Sequence, residues 1–383
     1  MKKLITLLLA ASFLLAFSAC GMSELIGIVT DISEEENLSP ATEASSVVSS
    51  EKTPPENVAT PEVSENMTPE FSEEHIDAKP DPEKPSVIAE GNCGSISSWM
   101  LMSDGVLIIA GKGSMGDWTA ANGLDLSLSG GSNSLYSYVT SIIIEEGITK
   151  ISPYAFSSCF DVKEIAISST VREIGEYAFN DCHKLRNISV ADSNLYFSDE
   201  DGALYSRDGF TLIKCPNTVS SFHIREGVTT IASCAFNGCN YLSSVTIPSS
   251  VISIEPLAFY GIGHLVSDSI SIEVDSLNHM LYTLNGMLFQ REPLTLLYHF
   301  DSYLKQTAMV PEETQVIGAG AFVDSDYLTC VAIPMSVTSI EENAFAQVEI
   351  SKINYPGTWE EWQQIEIAKG NEGLLMGRLE RVS

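Results

Sequence analysis

The chain has 383 residues, 44% of them hydrophobic, and a formal net charge of −31 at pH 7 from 51 acidic against 20 basic side chains. That length holds one large domain or two ordinary ones with tails, and the apolar fraction is ample for a packed core. The charge argues against nucleic acid as a partner and against adsorption to anionic headgroups, because residues 91–383 alone carry 34 acidic and 15 basic groups and repel phosphate.

Lys2 and Lys3 precede the apolar run LITLLLAASFLLAFSA. This is the basic start and hydrophobic body of a secretory signal, and it is too short for a comfortable bilayer span. The run ends at Cys20. Ser18-Ala19-Cys20-Gly21 resembles the lipobox of bacterial lipoproteins, although that group usually has Leu where this chain has Phe17. The resemblance implies that residues 1–20 are a lipoprotein signal and that Cys20 is the lipid attachment site. The protein would then sit on the extracellular face of a bacterial membrane, held by acyl chains at roughly 0.8 kcal/mol per buried CH₂. The alternative is an ordinary signal peptide cut near Ala19.

Residues 21–90 hold Pro40, Pro54, Pro55, Pro61, Pro69, Pro80, Pro82 and Pro85 among many Ser, Thr and Glu. Such a segment cannot bury enough apolar surface to offset its ordering entropy, and it reads as an acidic disordered tether. About sixty flexible residues have a typical end-to-end distance of roughly 45 Å. Residues 91–135 follow as a small region containing a strand at Val106–Ala110.

From residue 136 the dipeptide Ala-Phe recurs: Ala155-Phe156, Ala178-Phe179, Ala235-Phe236, Ala258-Phe259, Ala321-Phe322 and Ala344-Phe345. The pairs come in three couples with a period of 23, and twelve residues before each Phe lies Ile144, Ile167, Ile224, Ile247, Val310 or Ile333. Alternation around these aliphatics predicts short strands with one buried face. After each strand come a turn, a second apolar residue (Ile151, Ile174, Ile231, Ile254, Ile317 or Ile340) and the Ala-Phe pair on a small helical turn. A 23-residue unit cannot hide its own Ile and Phe, so the units must stack, with Phe filling the interior and Ala letting backbones approach. Val190, Val274 and the Ile353-Asn354-Tyr355 stretch complete nine rungs in three triplets. Between triplets, 193–216 and 277–300 each carry a tight-turn pair, Asp208-Gly209 and Asn285-Gly286, which predicts a β-hairpin standing off the stack.

The units VREIGEYAFNDCHKLRNISV and VTTIASCAFNGCNYLSSVTIPSSVISIEPLAF resemble the BspA-like leucine-rich repeats of bacterial and protist surface proteins. Residues 91–118 resemble the β-rich stretch that precedes such repeats, and 355–374 their C-terminal cap. The resemblance implies an α/β repeat fold, a right-handed solenoid over 136–355 capped by 91–135 and 356–383. It also implies surface display and binding, often adhesion, with no fixed ligand.

Motifs with other meanings have simpler readings. Gly111-Lys112-Gly113-Ser114-Met115-Gly116 matches a dinucleotide fingerprint but is followed by Asp-Trp-Thr-Ala-Ala-Asn-Gly, which is not an amphipathic helix, so strand-end glycines are expected. Asp199-Glu200-Asp201-Gly202 lacks the distal ligands of a calcium loop and reads as a turn. Cys159, Cys182 and Cys239 share one repeat position, filled by Ile262, Ser325 and Val348 elsewhere, and a slot that accepts Ile or Val is an interior one. Cys159 with Cys182, or Cys234 with Cys239, would be near enough to bridge. The spacing gives no zinc site and no cofactor motif, and the histidines form no HExxH or nucleophile relay. Residues just before each registered aliphatic point outward: Ile143, Ala166, Ser189, His223, Thr246, Glu273, Met309, Ala332 and Asn354. Of these, Ser189, His223, Thr246, Glu273 and Asn354 are the candidate binding face, for an extracellular protein or glycan; the alternatives are a plain solvated sheet face and binding at the hairpin tips or acidic loops. The expected role is a monomeric, non-enzymatic adhesion module. Its rivals are a structural spacer of the envelope and an enzyme with a site at the junction of the 91–135 region and the first repeat.

Overall fold

A computed structural model describes residues 84–116, 135–262, 270–300 and 305–381; the expectations for Cys20 and for most of the tether lie outside them. Each repeat begins with a strand that buries alternate residues. Ser141–Ile144 buries Ile142 and Ile144, Glu164–Ile167 buries Ile165 and Ile167, and Asn187–Val190 buries Ile188 and Val190. These strands lie parallel with Ile144, Ile167 and Val190 in register. The same arrangement recurs in Ser221–His223, Ser244–Ile247 and Ser271–Val274, and again in Thr307–Met309, Cys330–Ala332 and Lys352–Tyr355. A shorter strand later in each repeat, such as Thr230–Ile231 or Ser339–Ile340, pairs in parallel with its neighbours in a second set of sheets. The result is a leucine-rich-repeat-like solenoid of short strands and tight turns in three blocks.

The Ala-Phe pair sits where the chain turns back. The Phe156 N–H donates to Ala178 O at 2.9 Å, Phe236 to Ala258 at 2.9 Å and Phe322 to Ala344 at 2.8 Å. One backbone therefore meets the next at the alanine, where a larger Cβ substituent would occupy the core. The phenylalanine rings stack within each couple: centroids are 6.2 Å apart for Phe156 and Phe179, 4.9 Å for Phe236 and Phe259, and 4.6 Å for Phe322 and Phe345, with rings within 11° of parallel. Buried aromatic pairs of this kind contribute about 0.5–1.5 kcal/mol beyond the area they remove from water.

The turn has a feature that sequence spacing does not reveal. The residue two before each Phe lies in the left-handed region: Tyr154, Tyr177, Cys234, Leu257 and Asn343 have φ of 55–61°, and Gly320 has 69°. Ser158, Asp181, Gly238, Gly261 and Gln347, two after Phe, do the same at 56–80°. Left-handed backbone costs an L side chain about 1–2 kcal/mol, and the rung-to-rung hydrogen bonds hold the chain there.

The first strands, Val87–Asn92, Ser97–Met102 and Val106–Gly111, form an antiparallel meander whose last strand pairs in parallel with Ser141–Ile144. Trp99, Leu101, Leu107 and Ile109 join the same core cluster as Ile142, so this junction is filled by apolar side chains. The two insertions do not stand clear of the stack. Phe197–Glu200, Ala203–Ser206 and Thr211–Lys214 form a meander whose third strand pairs in parallel with Thr230–Ile231, and Thr295–His299 pairs likewise with Val316–Ile317. Leu204, Leu212, Leu288 and Leu296 are fully buried; a free-standing hairpin would leave them in water. At the other end, Thr358 and Glu361 form a reciprocal capping box at the start of a short helix, Trp359–Trp362. Glu366–Ile367 and Arg378–Arg381 then add one strand to each set of sheets.

Among the described residues, the main sheets of successive blocks are not joined by a ladder. Asparagines close the ends instead. The Asn194 Nδ2 donates to Ser168 O and Val171 O at 2.8 and 2.9 Å, and its Oδ1 accepts from the N–H groups of Tyr196 and Phe197 at 2.8 and 2.9 Å. Asn278 makes the equivalent four bonds to Pro248, Val251, Met280 and Leu281, all at 2.8–2.9 Å. Every donor and acceptor of a buried amide is used. Asn278→Asp keeps the shape but removes both donors and turns a carboxylate toward two carbonyls, so urea denaturation should show a loss of about 3 kcal/mol or more. Gln347→Gly, at an exposed left-handed position, should instead gain about 1 kcal/mol; a loss would contradict the turn analysis.

Candidate binding face

The outward positions of the main strands form rows. Pairing places Ile108 beside Ile143, then Ala166 and Ser189; His223 beside Thr246 and Glu273; and Met309 beside Ala332, Asn354 and Glu380. The candidates His223, Thr246 and Glu273 are thus immediate neighbours on one sheet, while Ser189 and Asn354 belong to the sheets on either side. Ser189, His223 and Glu273 are exposed, and Thr246 and Asn354 are half-buried.

The three faces differ in chemistry. The first is apolar toward its start, with Met100, Ile108 and Ile143 in one row. The second is wholly polar, since Ser221, Ser244 and Ser271 run beside His223, Thr246 and Glu273. The third is mixed: Met309 is 73% exposed, and Lys352 pairs with Glu380 at 2.6 Å, which draws the Glu380 carboxyl below its ordinary range and raises the Lys352 ammonium. Such a surface offers hydroxyls, one imidazole and separated charges, suited to hydrogen bonding a polar ligand.

The rival motifs resolve into structure. The N–H groups of Lys112, Gly113, Met115 and Gly116 all donate to backbone carbonyls of Ile96, Gly147, Lys150 and Cys93, so none is left to cradle phosphate. Asp199 accepts from the Val190 N–H at 2.8 Å, Glu200 pairs with Arg225, and Asp201 and Gly202 form the turn with φ of 51° and 79°. Among the described residues no group of three His, Cys, Asp or Glu could hold a metal ion, and no helix is long and apolar enough to cross a membrane.

Sequence reasoning missed a buried polar cluster between the first two blocks. Lys214, at the end of the first insertion, donates to Asn217 Oδ1 at 2.6 Å, Asn237 O at 2.7 Å and Cys215 O at 3.3 Å. Asn217 reaches back to Cys182 O at 2.8 Å, and Asn237 Oδ1 accepts from the Asp181 N–H at 2.9 Å. A lone Lys in an apolar strand was the only visible signal. Asp181 beside this cluster has its carboxyl pushed up to about 6, chiefly by burial, with Lys214 pulling the other way.

A model of the BspA type leucine rich repeat region matches in six copies, over residues 132–222, 210–290 and 297–366. The chain belongs to the BspA-type leucine-rich-repeat family. A leucine-rich repeat protein from Eubacterium ventriosum is 20% identical with a TM-score of 0.33, the alignment covering 77% of this chain and 96% of that one. A leucine rich cell surface protein from Faecalibacterium prausnitzii is 19% identical with a TM-score of 0.37, covering 74% and 98%. The pneumococcal vaccine antigen PcpA is 15% identical with a TM-score of 0.34, covering 70% of each chain. No curated protein matches.

In this BspA-type chain Asp181 gives a pH signature. Below its unfolded value of 3.8 both states are protonated; between there and about 6 the folded state keeps a proton the unfolded chain has lost, so stability falls as pH rises. Above that the cost is constant, on the order of 3 kcal/mol. Asp181→Asn should therefore raise the urea midpoint near pH 7.5, with the gain shrinking toward pH 4.5. An equal gain at both would contradict the burial argument.

Proposed function

We propose that this protein is a surface-displayed binding module whose open sheet faces, centred on Ser189, His223, Thr246, Glu273 and Asn354, contact an extracellular protein or glycan. The observation that carries this reading is the register: outward positions of successive repeats align into rows, polar throughout on the second sheet and mixed on the third, a repeated geometry that can match a repeated or extended ligand. The right-handed winding expected of parallel crossovers, the acidic tether at 21–90 and the lipid at Cys20 complete the proposal. In it the solenoid over 136–355, between its caps at 91–135 and 356–383, is held away from the membrane as a monomer. No catalytic step is assigned to it.

The test is capture of extracellular matrix proteins, mucins and envelope glycans by the full chain, beside a variant carrying His223→Ala, Thr246→Arg and Glu273→Lys. A tenfold or greater loss of capture by the variant is expected. Equal capture by both would sink the sheet-face assignment, and capture by neither would favour a structural spacer. For the anchor, Cys20→Ser should move the protein from the membrane fraction to the medium or the soluble fraction; unchanged retention would refute lipidation.

A further inference from the structure

The cysteines of the repeat slot are buried, but the thiol contact that stands out among them is not between two slot residues. Cys215 comes from the end of the first insertion, where its N–H donates to Ala235 O at 2.8 Å and so takes the place a phenylalanine holds in the rung-to-rung ladder. Cys239 follows Phe236 on the next turn. Both thiols converge on one carbonyl: Cys215 Sγ lies 3.4 Å and Cys239 Sγ 3.7 Å from Pro216 O, and Cys239 Sγ also lies 3.3 Å from Asn217 Oδ1. Cys182, by contrast, donates to Phe156 O at 3.4 Å within its own block. Both Cys215 and Cys239 carry free thiols and are fully buried.

We propose that Cys215 and Cys239 are a disulfide-forming pair, closing a covalent staple between the first insertion and the first turn of the second block as the chain folds in an oxidising environment. Exchange begins before burial is complete, when either thiol can ionise and attack first. The step is ordinary thiol–disulfide exchange. With Cys239 leading, its thiolate attacks one sulfur of an external disulfide such as oxidised glutathione and expels one glutathione thiolate. Cys215 then loses its proton and attacks Cys239 in the mixed disulfide, expelling the second glutathione. Two protein thiols are oxidised, one disulfide is reduced to two thiols, and the protons pass to the departing thiolates. Because the pair is closed to solvent in the folded state, exchange belongs to folding, before the second block seals. The staple is independent of the binding-face reading.

The full chain is unfolded, refolded in a glutathione redox buffer, then denatured and alkylated with N-ethylmaleimide, and its adducts and proteolytic fragments are mapped by mass. The expected result is two fewer adducts than in the reduced protein and a linked peptide joining Cys215 to Cys239. Oxidation should also raise the urea midpoint of the native sequence but not that of Cys215→Ala or Cys239→Ala. Full alkylation, or a linked peptide joining any other pair, would overturn the proposal. The wild-type peptide map decides this whether or not the alanine variants fold.

Discussion

The architecture depends on one constraint: a unit of 23 residues cannot shield an isoleucine, a second aliphatic and a phenylalanine from water by itself. Each rung must lie on another. The backbone bond from Phe to the next alanine carbonyl sets the separation, and the stacked rings fill the space that separation leaves. Strand register follows from the same condition, since a slip of one residue would turn every buried Ile outward. The outward rows on the open face are thus a by-product of core packing, and they can vary without disturbing the interior.

The constraint also explains why the stack is broken into blocks. A solenoid must end each run of rungs without exposing apolar edges, and here the insertions do so. Asn194 and Asn278 satisfy the carbonyls of the repeat behind and the amides of the insertion ahead, after which the third strand of each insertion starts the next second sheet. Cys215 and His299 then stand where a Phe would, each donating its N–H to the following alanine. Asn371 ends the final run by accepting from the Phe345 N–H at 2.9 Å. Burying charged Lys214 and half-burying Asp181 at one junction offsets part of what the hydrophobic layers contribute, and makes that junction the pH-sensitive part of the stack.

Much of this was legible in the residues. The period, the couples of Ala-Phe, the strand register and the outward rows are direct consequences of identical modules stacking, so spacing alone placed them. The left-handed turn positions were hidden because Tyr154, Tyr177 and Leu257 occupy them, residues that normally avoid that backbone; neighbours, not local preference, impose it. The turn pairs of the insertions announce two strands and so suggest projecting hairpins, whereas nothing local tells that Thr211–Lys214 will find a parallel partner nearly twenty residues on. Of the candidate face, the alignment of His223, Thr246 and Glu273 followed from the period. The separation of Ser189 and Asn354 onto other sheets depends on the breaks between blocks, and the contact of Cys215 with Cys239 depends on where the insertion returns.

The most direct test of the stacking account is native-state hydrogen exchange on Phe259→Ala, a fully buried ring stacked on Phe236. Truncating it should cost about 3–5 kcal/mol and lower amide protection not only around residue 259 but through the adjoining strands Ser244–Ile247 and Ser271–Val274. A loss below about 1 kcal/mol, well under the usual cost of such a truncation, or one confined to the mutated turn, would show that the repeats hold themselves together and would contradict the account.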